Sequence, residues 1–256
     1  MLKVRVMPTL LYNGATLVKG VGFDSWRTVG SALQAIKVYA LRQVDELIFL
    51  DITRTREGRP PDFELVDDFA NECFMPLTVG GGVRSIEDVG RLLQVGADKV
   101  ALNTAAVEVP GLVEEVAARF GSQCCVVSID ARRTEQGHEV FTRCGRRATG
   151  LEPAELARRL EERGAGEVLV GSIERDGTLG GYDLELLRRV SRAVTIPVIA
   201  SGGAGSAEDM AQAVLEGGAS AVAAASLFHF TQSTPLEVKR GMRDRGIPVR
   251  LQEVQS

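Results

Sequence analysis

Two glycine-rich stretches carry the clearest chemistry in this chain, VGGG at 79–82 and ASGGAG at 200–205. Glycine lets the backbone approach a ligand closely, so that main-chain N–H groups can point at it. A helix starting behind such a loop favours negative charge, and together these suit phosphate. Gly81 and Gly82 belong to the first stretch, Gly202 and Gly203 to the second. A short turn follows each one downstream: NTAA (103–106) offers Asn103 and Thr104, and AAS (224–226) offers Ala225 and Ser226. RDGT (175–178) adds Asp176, Gly177 and Thr178. One GGG alone would be weak evidence, because tight strand–helix turns also need glycine. Two matching sets are much stronger.

The elements that must hold these loops are short apolar runs alternating with amphipathic stretches. The runs are VRVMPTLL (4–11), ELIFLDI (46–52), PLTVGG (76–81), KVALNT (99–104), CCVVSID (124–130), EVLVGSI (167–173), PVIASGG (197–203) and AVAAAS (221–226). Their unbroken apolar character suits strands covered on both faces, as in a parallel sheet. Between them lie helical patterns such as SIEDVGRLLQVG (85–96), EPAELARRLEERG (152–164) and SAEDMAQAVLEGG (206–218). Two of these open with Ser and place Asp three residues on, close to a capping box, and all three end at Gly. Eight strand–helix alternations predict a (β/α)8 barrel over residues 1–256, one domain in the α/β class.

The chain also repeats itself. MPLTVGGGVRSIEDVGRLLQVGADKVALNTAA (75–106) resembles IPVIASGGAGSAEDMAQAVLEGGASAVAAAS (196–226), with Pro76 and Pro197, Gly81 and Gly202, and Ser85 and Ser206 each 121 positions apart. The same offset sets Glu46 on Glu167. A barrel of two similar halves explains this. The loops after the seventh and eighth strands are the usual barrel phosphate site. Their copy after the third and fourth strands predicts a second phosphate across the mouth.

Bulk properties narrow the partners. With 256 residues, 45% of them hydrophobic, and a formal charge of -4, the chain can bury a large core, and the mild acidity argues against nucleic acid or an anionic membrane. The N-terminal MLKVRVMPTLLYNG holds no apolar run long enough for a signal peptide. No stretch nears the ~20 apolar residues of a membrane span. Cys73, Cys124, Cys125 and Cys144 form no CxxC pair, which predicts reduced thiols and a cytoplasmic protein. His138 and His229 lie far apart, and His229 in SLFHF reads as a partly buried structural residue. No metal site and no cofactor are expected.

The stretches DELIFLDIT, TVGGGVRS, GADKVALNTAA, VSIDARR, RDGTLGGYD and IASGGAG resemble the cyclase (HisF) family of imidazole glycerol phosphate synthase, from Arg5 to about Leu251. The resemblance implies a substrate with a phosphate at each end. It also implies a glutaminase subunit docked on the N-terminal face of the barrel, sending ammonia through a gate of four charged residues. Their counterparts are Arg5, Glu46, Lys99 and Glu167. A layer of two positive and two negative charges can satisfy itself there, and a salt-bridged plug of the barrel floor is the alternative reading. Asp98 matches a residue that contacts the glutaminase, and Thr78 would face the channel. Lys19, on the long loop expected at 12–31, would either clamp a phosphate or stay solvated. Asn103 would touch the substrate.

The family places one aspartate at the end of the first strand and one at the end of the fifth, as general base and general acid. Asp130 supplies the second of these. At the first, this chain has Leu11, and residues 6 to 18 contain no Asp or Glu. An imidazole-forming enzyme would then need another base, Asp51 or Asp176, with Asp51 read more readily as a buried structural carboxylate. Three expectations stand side by side. The first is a paralogue in surface-glycan pathways that adds ammonia to an activated amide, making an acetamidino group on a nucleotide-activated sugar. The second is the imidazole-forming cyclase with an altered base. The third is a non-catalytic scaffold that activates a glutaminase. Thr9 and Gly171, which differ from types common in the family's mouth, either reshape the pocket or repack around Leu11.

Overall fold

The computed structural model describes residues 3–42, 44–109 and 111–251. Strand β1 (Arg5–Tyr12) is followed by the hairpin β2 (Leu17–Val21) and β3 (Asp24–Gly30), then by β4 (Leu47–Asp51), β5 (Leu77–Gly80) and β6 (Lys99–Leu102). β7 (Cys125–Thr134) runs on into the antiparallel β8 (Gly137–Thr142) and β9 (Arg147–Ala148), and β10 (Glu167–Ser172), β11 (Val198–Ser201) and β12 (Ala221–Ala224) complete the set. Parallel pairing runs β1–β4–β5–β6–β7–β10–β11–β12 and closes back on β1. The eight apolar runs are therefore the eight staves of a (β/α)8 barrel.

The helices form where the sequence signals them. Ser85 opens the helix Ile86–Gln94 with a complete capping box to Asp88, and Ser206 accepts the Asp209 N–H at the start of Ala207–Leu215. Pro153 begins the helix Pro153–Glu162, where its missing N–H costs no helical hydrogen bond. Each barrel strand faces two apolar layers. Its outward residues pack under the helices, and its inward ones (Met7, Ile48, Ala101, Val126, Leu169, Ile199, Ala221 and Ala223) fill the barrel itself. That double burial explains runs that are apolar without alternation.

One expectation changes. The segment 12–31 is not a loop. β2 pairs antiparallel with β1 through Leu11–Val18 and Tyr12–Leu17, and β3 pairs with β2, so a three-stranded flap rises from the first stave. Among the described residues no helix is long and apolar enough to cross a membrane.

Candidate active site

At the N-terminal end of the barrel, Arg5, Glu46, Lys99 and Glu167 meet. Arg5 Nη1 donates to Glu46 Oε2 at 2.8 Å, and its two terminal nitrogens donate to the two Glu167 oxygens at 3.0 Å each. Lys99 Nζ donates to Glu46 Oε1 at 2.5 Å and to Glu167 Oε1 at 2.8 Å. Each carboxylate thus bridges both cations. Burial works against the Arg5 charge, yet the two glutamates hold its pKa above the usual value. Above this layer the interior is apolar. Thr78 stands in register with Ile48 and Lys99, and parallel neighbours in register share a face, so it points inward too.

Two aspartates hold the layer from outside. β1 and β4 pair only from Thr9–Ile48 onward, so no backbone ladder joins them at the level of Arg5 and Glu46. Instead Asp45 Oδ2 accepts the Val6 N–H at 2.9 Å, and Asp45 Oδ1 pairs with the buried Lys239 Nζ at 2.8 Å. Asp98 accepts the Leu77 N–H at 2.8 Å while its own N–H donates to Leu77 O at 2.9 Å. Asp98 otherwise stays exposed on the outer rim.

The C-terminal mouth is a single pocket that contains Asp130, Asn103, Thr104, Asp176, Gly177, Lys19, Gly81, Gly82, Gly202, Gly203, Ala225 and Ser226. The glycine loops need their glycines. A Cβ on Gly81 (φ 112°) would lie 2.2 Å from Asp51 O, and one on Gly203 (φ 111°) 2.2 Å from Gly181 O. At the same rim, the short helices Thr104–Glu108 and Ser226–Phe230 begin at Asn103 and Ala225 without a side-chain cap. Both helix starts line the pocket, through Asn103, Thr104 and Ala105 and through Ala225 and Ser226.

Asp130 lies between the two loops. Asn103 Nδ2 donates to Asp130 Oδ2 at 3.0 Å and to Ser128 O at 2.9 Å, fixing the carboxylate. Its neighbour in register, Gly171, leaves space, since a Cβ there would sit 2.9 Å from Asp130 Oδ1. Burial first, and the charge of Asp176 second, push the Asp130 pKa up to about 7, against the Asn103 hydrogen bond. Burial also raises Asp176, with Lys19 opposing.

Some expected positions are corrected. Lys19 is not solvated but lines the pocket. It lies on β2 with its side chain 2% exposed, and its Nζ donates to Asp176 Oδ2. Thr178 lies outside the pocket, where it is exposed and closes its own turn, donating to Arg175 O and accepting from Gly180 N–H. Asp51 reaches the pocket wall, but its carboxylate accepts from Thr53 N–H (2.9 Å), Thr53 Oγ1 (2.7 Å) and Arg54 Nε (3.2 Å), a structural use. Leu11 is apolar wall, paired with Val18 and Leu50, and no carboxylate takes its place on β1. His229 is half-buried beside Tyr39, with its pKa lowered by burial. Cys144 and Arg146, from the turn after β8, and Phe23 and Trp26, from the flap, also line the pocket. Sequence reasoning missed them because both hairpins are too short to show a period.

Comparisons with known proteins agree with this geometry. The family described as "Histidine biosynthesis protein" matches residues 5–234. A protein named "Imidazole glycerol phosphate synthase subunit HisF", from Hyphomonas neptunium (strain ATCC 15444), is 54% identical over 250 residues, covering 98% of this chain and 99% of that protein. Barrel, paired glycine loops and charged floor thus accompany a match along almost the whole length, and this chain belongs to the HisF family of histidine biosynthesis proteins.

Proposed function

We propose that this chain is the ammonia-using subunit of a glutamine amidotransferase of the imidazole glycerol phosphate synthase type, and that it carries out the cyclase/lyase step. The observation that carries the reading is one pocket in which two phosphate-type loops flank Asp130, directly above an apolar barrel interior floored by the charged layer. Neutral ammonia can cross such an interior, whereas ammonium would have to shed its water without a partner. Asp130 and Asp176 serve as the acid/base pair, Asp130 held by Asn103 and Asp176 paired with Lys19. Asp176 takes the part that the family gives to the residue at position 11.

A glutaminase docks on the N-terminal face in this reading. Leu41 (84% exposed), Phe74 (88%) and Leu215 (65%) all precede barrel strands there, and apolar side chains that open to water suit a protein interface. The four cysteines are unpaired, in keeping with a cytoplasmic setting. Lys99→Ala removes one of the two cations shared by Glu46 and Glu167. The expected outcome is glutamine hydrolysis that outruns product formation, read as a glutamate-to-product ratio above one. A ratio still at one would tell against the gate.

A second reading rests on Leu11. An apolar wall opposite Asp130 also suits amidine formation on a nucleotide-activated sugar, where one acid is sufficient. Complementation of a histidine auxotroph lacking the cyclase subunit separates the two. Growth with the natural chain, abolished by Asp176→Asn, is the expected result. Growth only after Leu11→Asp would show the second carboxylate to be missing rather than relocated. No growth with either chain would leave amidine formation as the supported activity.

A further inference from the structure

Each glycine loop at the mouth leans on the segment that follows the preceding stave, and the internal repeat keeps this arrangement. A Cβ on Gly203 would lie 2.2 Å from Gly181 O, and one on Gly205 2.1 Å from Leu179 O. At the other loop, a Cβ on Gly82 would lie 2.7 Å from Arg59 O and 3.1 Å from the Pro60 carbonyl carbon. Gly203 and Gly82 are 121 positions apart, and so are Gly181 and Pro60. The two segments therefore do the same packing job with different residues. Gly181 and Tyr182 stand where the first half has Pro60 and Pro61.

That difference decides which hydrogen bonds can form. The Gly181 N–H donates to Gly203 O at 2.9 Å, a bond that Pro60, with no N–H, cannot copy. The Tyr182 hydroxyl donates to Ala223 O at 3.0 Å. The ladder between β11 and β12 ends at the pair Ala200 and Val222, so this bond holds the carbonyl one step beyond it. Pro61 has no hydroxyl to offer. The two prolines stiffen their own segment instead, by fixing φ. The first loop also has a fastening of its own, the Gly82 N–H donating to Thr55 Oγ1 at 3.1 Å.

Tyr182 and Ala223 are both buried, and Tyr182 does not line the pocket. Burial first, and the charge of Asp209 second, raise the Tyr182 pKa, so the phenol keeps its proton and remains a donor. Asp209 braces the same loop, accepting from the Gly205 N–H and the Ser206 hydroxyl at 3.0 Å each. Three residues beyond Ala223, Ser226 Oγ is buried at the pocket wall without a hydrogen-bond partner among the described residues. A buried hydroxyl left open in this way is suited to a ligand. We propose that Tyr182 is a positioning residue for the anion held by Gly203 and Ser226: its hydroxyl fixes the Ala223 carbonyl, and with it the turn that carries Ser226 to the ligand. It acts on this loop only, because the other has prolines in its place. The inference rests on the reading of the two loops as phosphate sites.

Amide NMR of the full chain, titrated with inorganic phosphate, reads each loop separately. Shifts at Gly203 and Ser226 give one dissociation constant, and shifts at Gly82 and Thr104 give the other. Tyr182→Phe keeps the ring in place and removes only the hydroxyl, so the variant stays folded, which its dispersed spectrum checks. A neutral hydrogen bond is worth about 3–10-fold in an equilibrium, so the Kd read at Gly203 and Ser226 should rise by about that factor, while the Kd at Gly82 and Thr104 holds within ~1.5-fold. A thermal melt run alongside separates a merely structural role. A lower melting temperature with both constants unchanged, or with both raised alike, would overturn the proposal and leave the phosphate loops standing. No response of the Gly203 and Ser226 amides in the natural chain would remove the phosphate reading of that loop and the proposal together.

Discussion

Asp130→Asn should lower kcat by about 10²–10⁴, the usual contribution of a positioned acid or base, while phosphate binding at the loops is retained. Asparagine keeps the shape and can still meet Asn103 after an amide rotation, so the loss isolates proton transfer. Stability should move the other way. The ordinary aspartate value is 3.8, and the folded chain lifts Asp130 to about 7 through burial and the nearby Asp176. Between those two values the folded state holds the proton that the unfolded state has released. Stability therefore falls as pH rises through that window, and the deficit is complete above about pH 7. Asp130→Asn removes the deficit, so the variant should melt higher than the natural chain at pH 8, by roughly 2–4 °C for each kcal/mol recovered. The gap should close toward pH 4. Thermal melts at pH 4 and pH 8, set beside steady-state rates, check both halves. An unchanged kcat would exclude Asp130 from the chemistry.

The second large effect is structural. Lys239→Met keeps the length of the side chain but strips Asp45 of its buried counter-charge. Removing one partner of a buried ion pair typically costs about 3–5 kcal/mol, because the other charge stays behind without compensation. Denaturant unfolding should show a loss of that size. Asp45 also holds the Val6 N–H, where β1 and β4 lack a ladder, so the disturbance should pass to Arg5 and Glu46. Free ammonia and glutamine then become informative probes: the variant should use glutamine less well than the natural chain, relative to its use of free ammonia. A loss under 1 kcal/mol would mean that Asp45 finds another partner or opens to water.

The barrel was legible because double burial leaves long apolar runs, and because the repeat sets strands 121 residues apart on one another. The types needed for the charged layer were legible too, since Arg5, Glu46, Lys99 and Glu167 each stand at a strand start. Their mutual distances were not, because they come from four strands far apart in sequence. The burial of Lys19 was hidden for a related reason. A lysine after a strand end reads as solvated loop, and only the β2–β3 flap, folded onto the turn at Asp176, buries it. Thr178 belonged to a motif whose Asp and Gly face the pocket, but one residue further on the chain has already turned away. Arg56 and Arg146 carried no sequence signal, since only the fold brings their segments to the pocket wall.

The repeat has a consequence for how a ligand is oriented. Two matching loops on opposite sides of one mouth offer a two-headed molecule a pair of poses related by end-over-end reversal. If the loops were alone, both poses would fill equally and half of all encounters would present the wrong end to Asp130. Handedness must come from whatever spoils the match. The Lys19–Asp176 pair stands on one side only, so the mouth works as a compass and the repeat has been given a north.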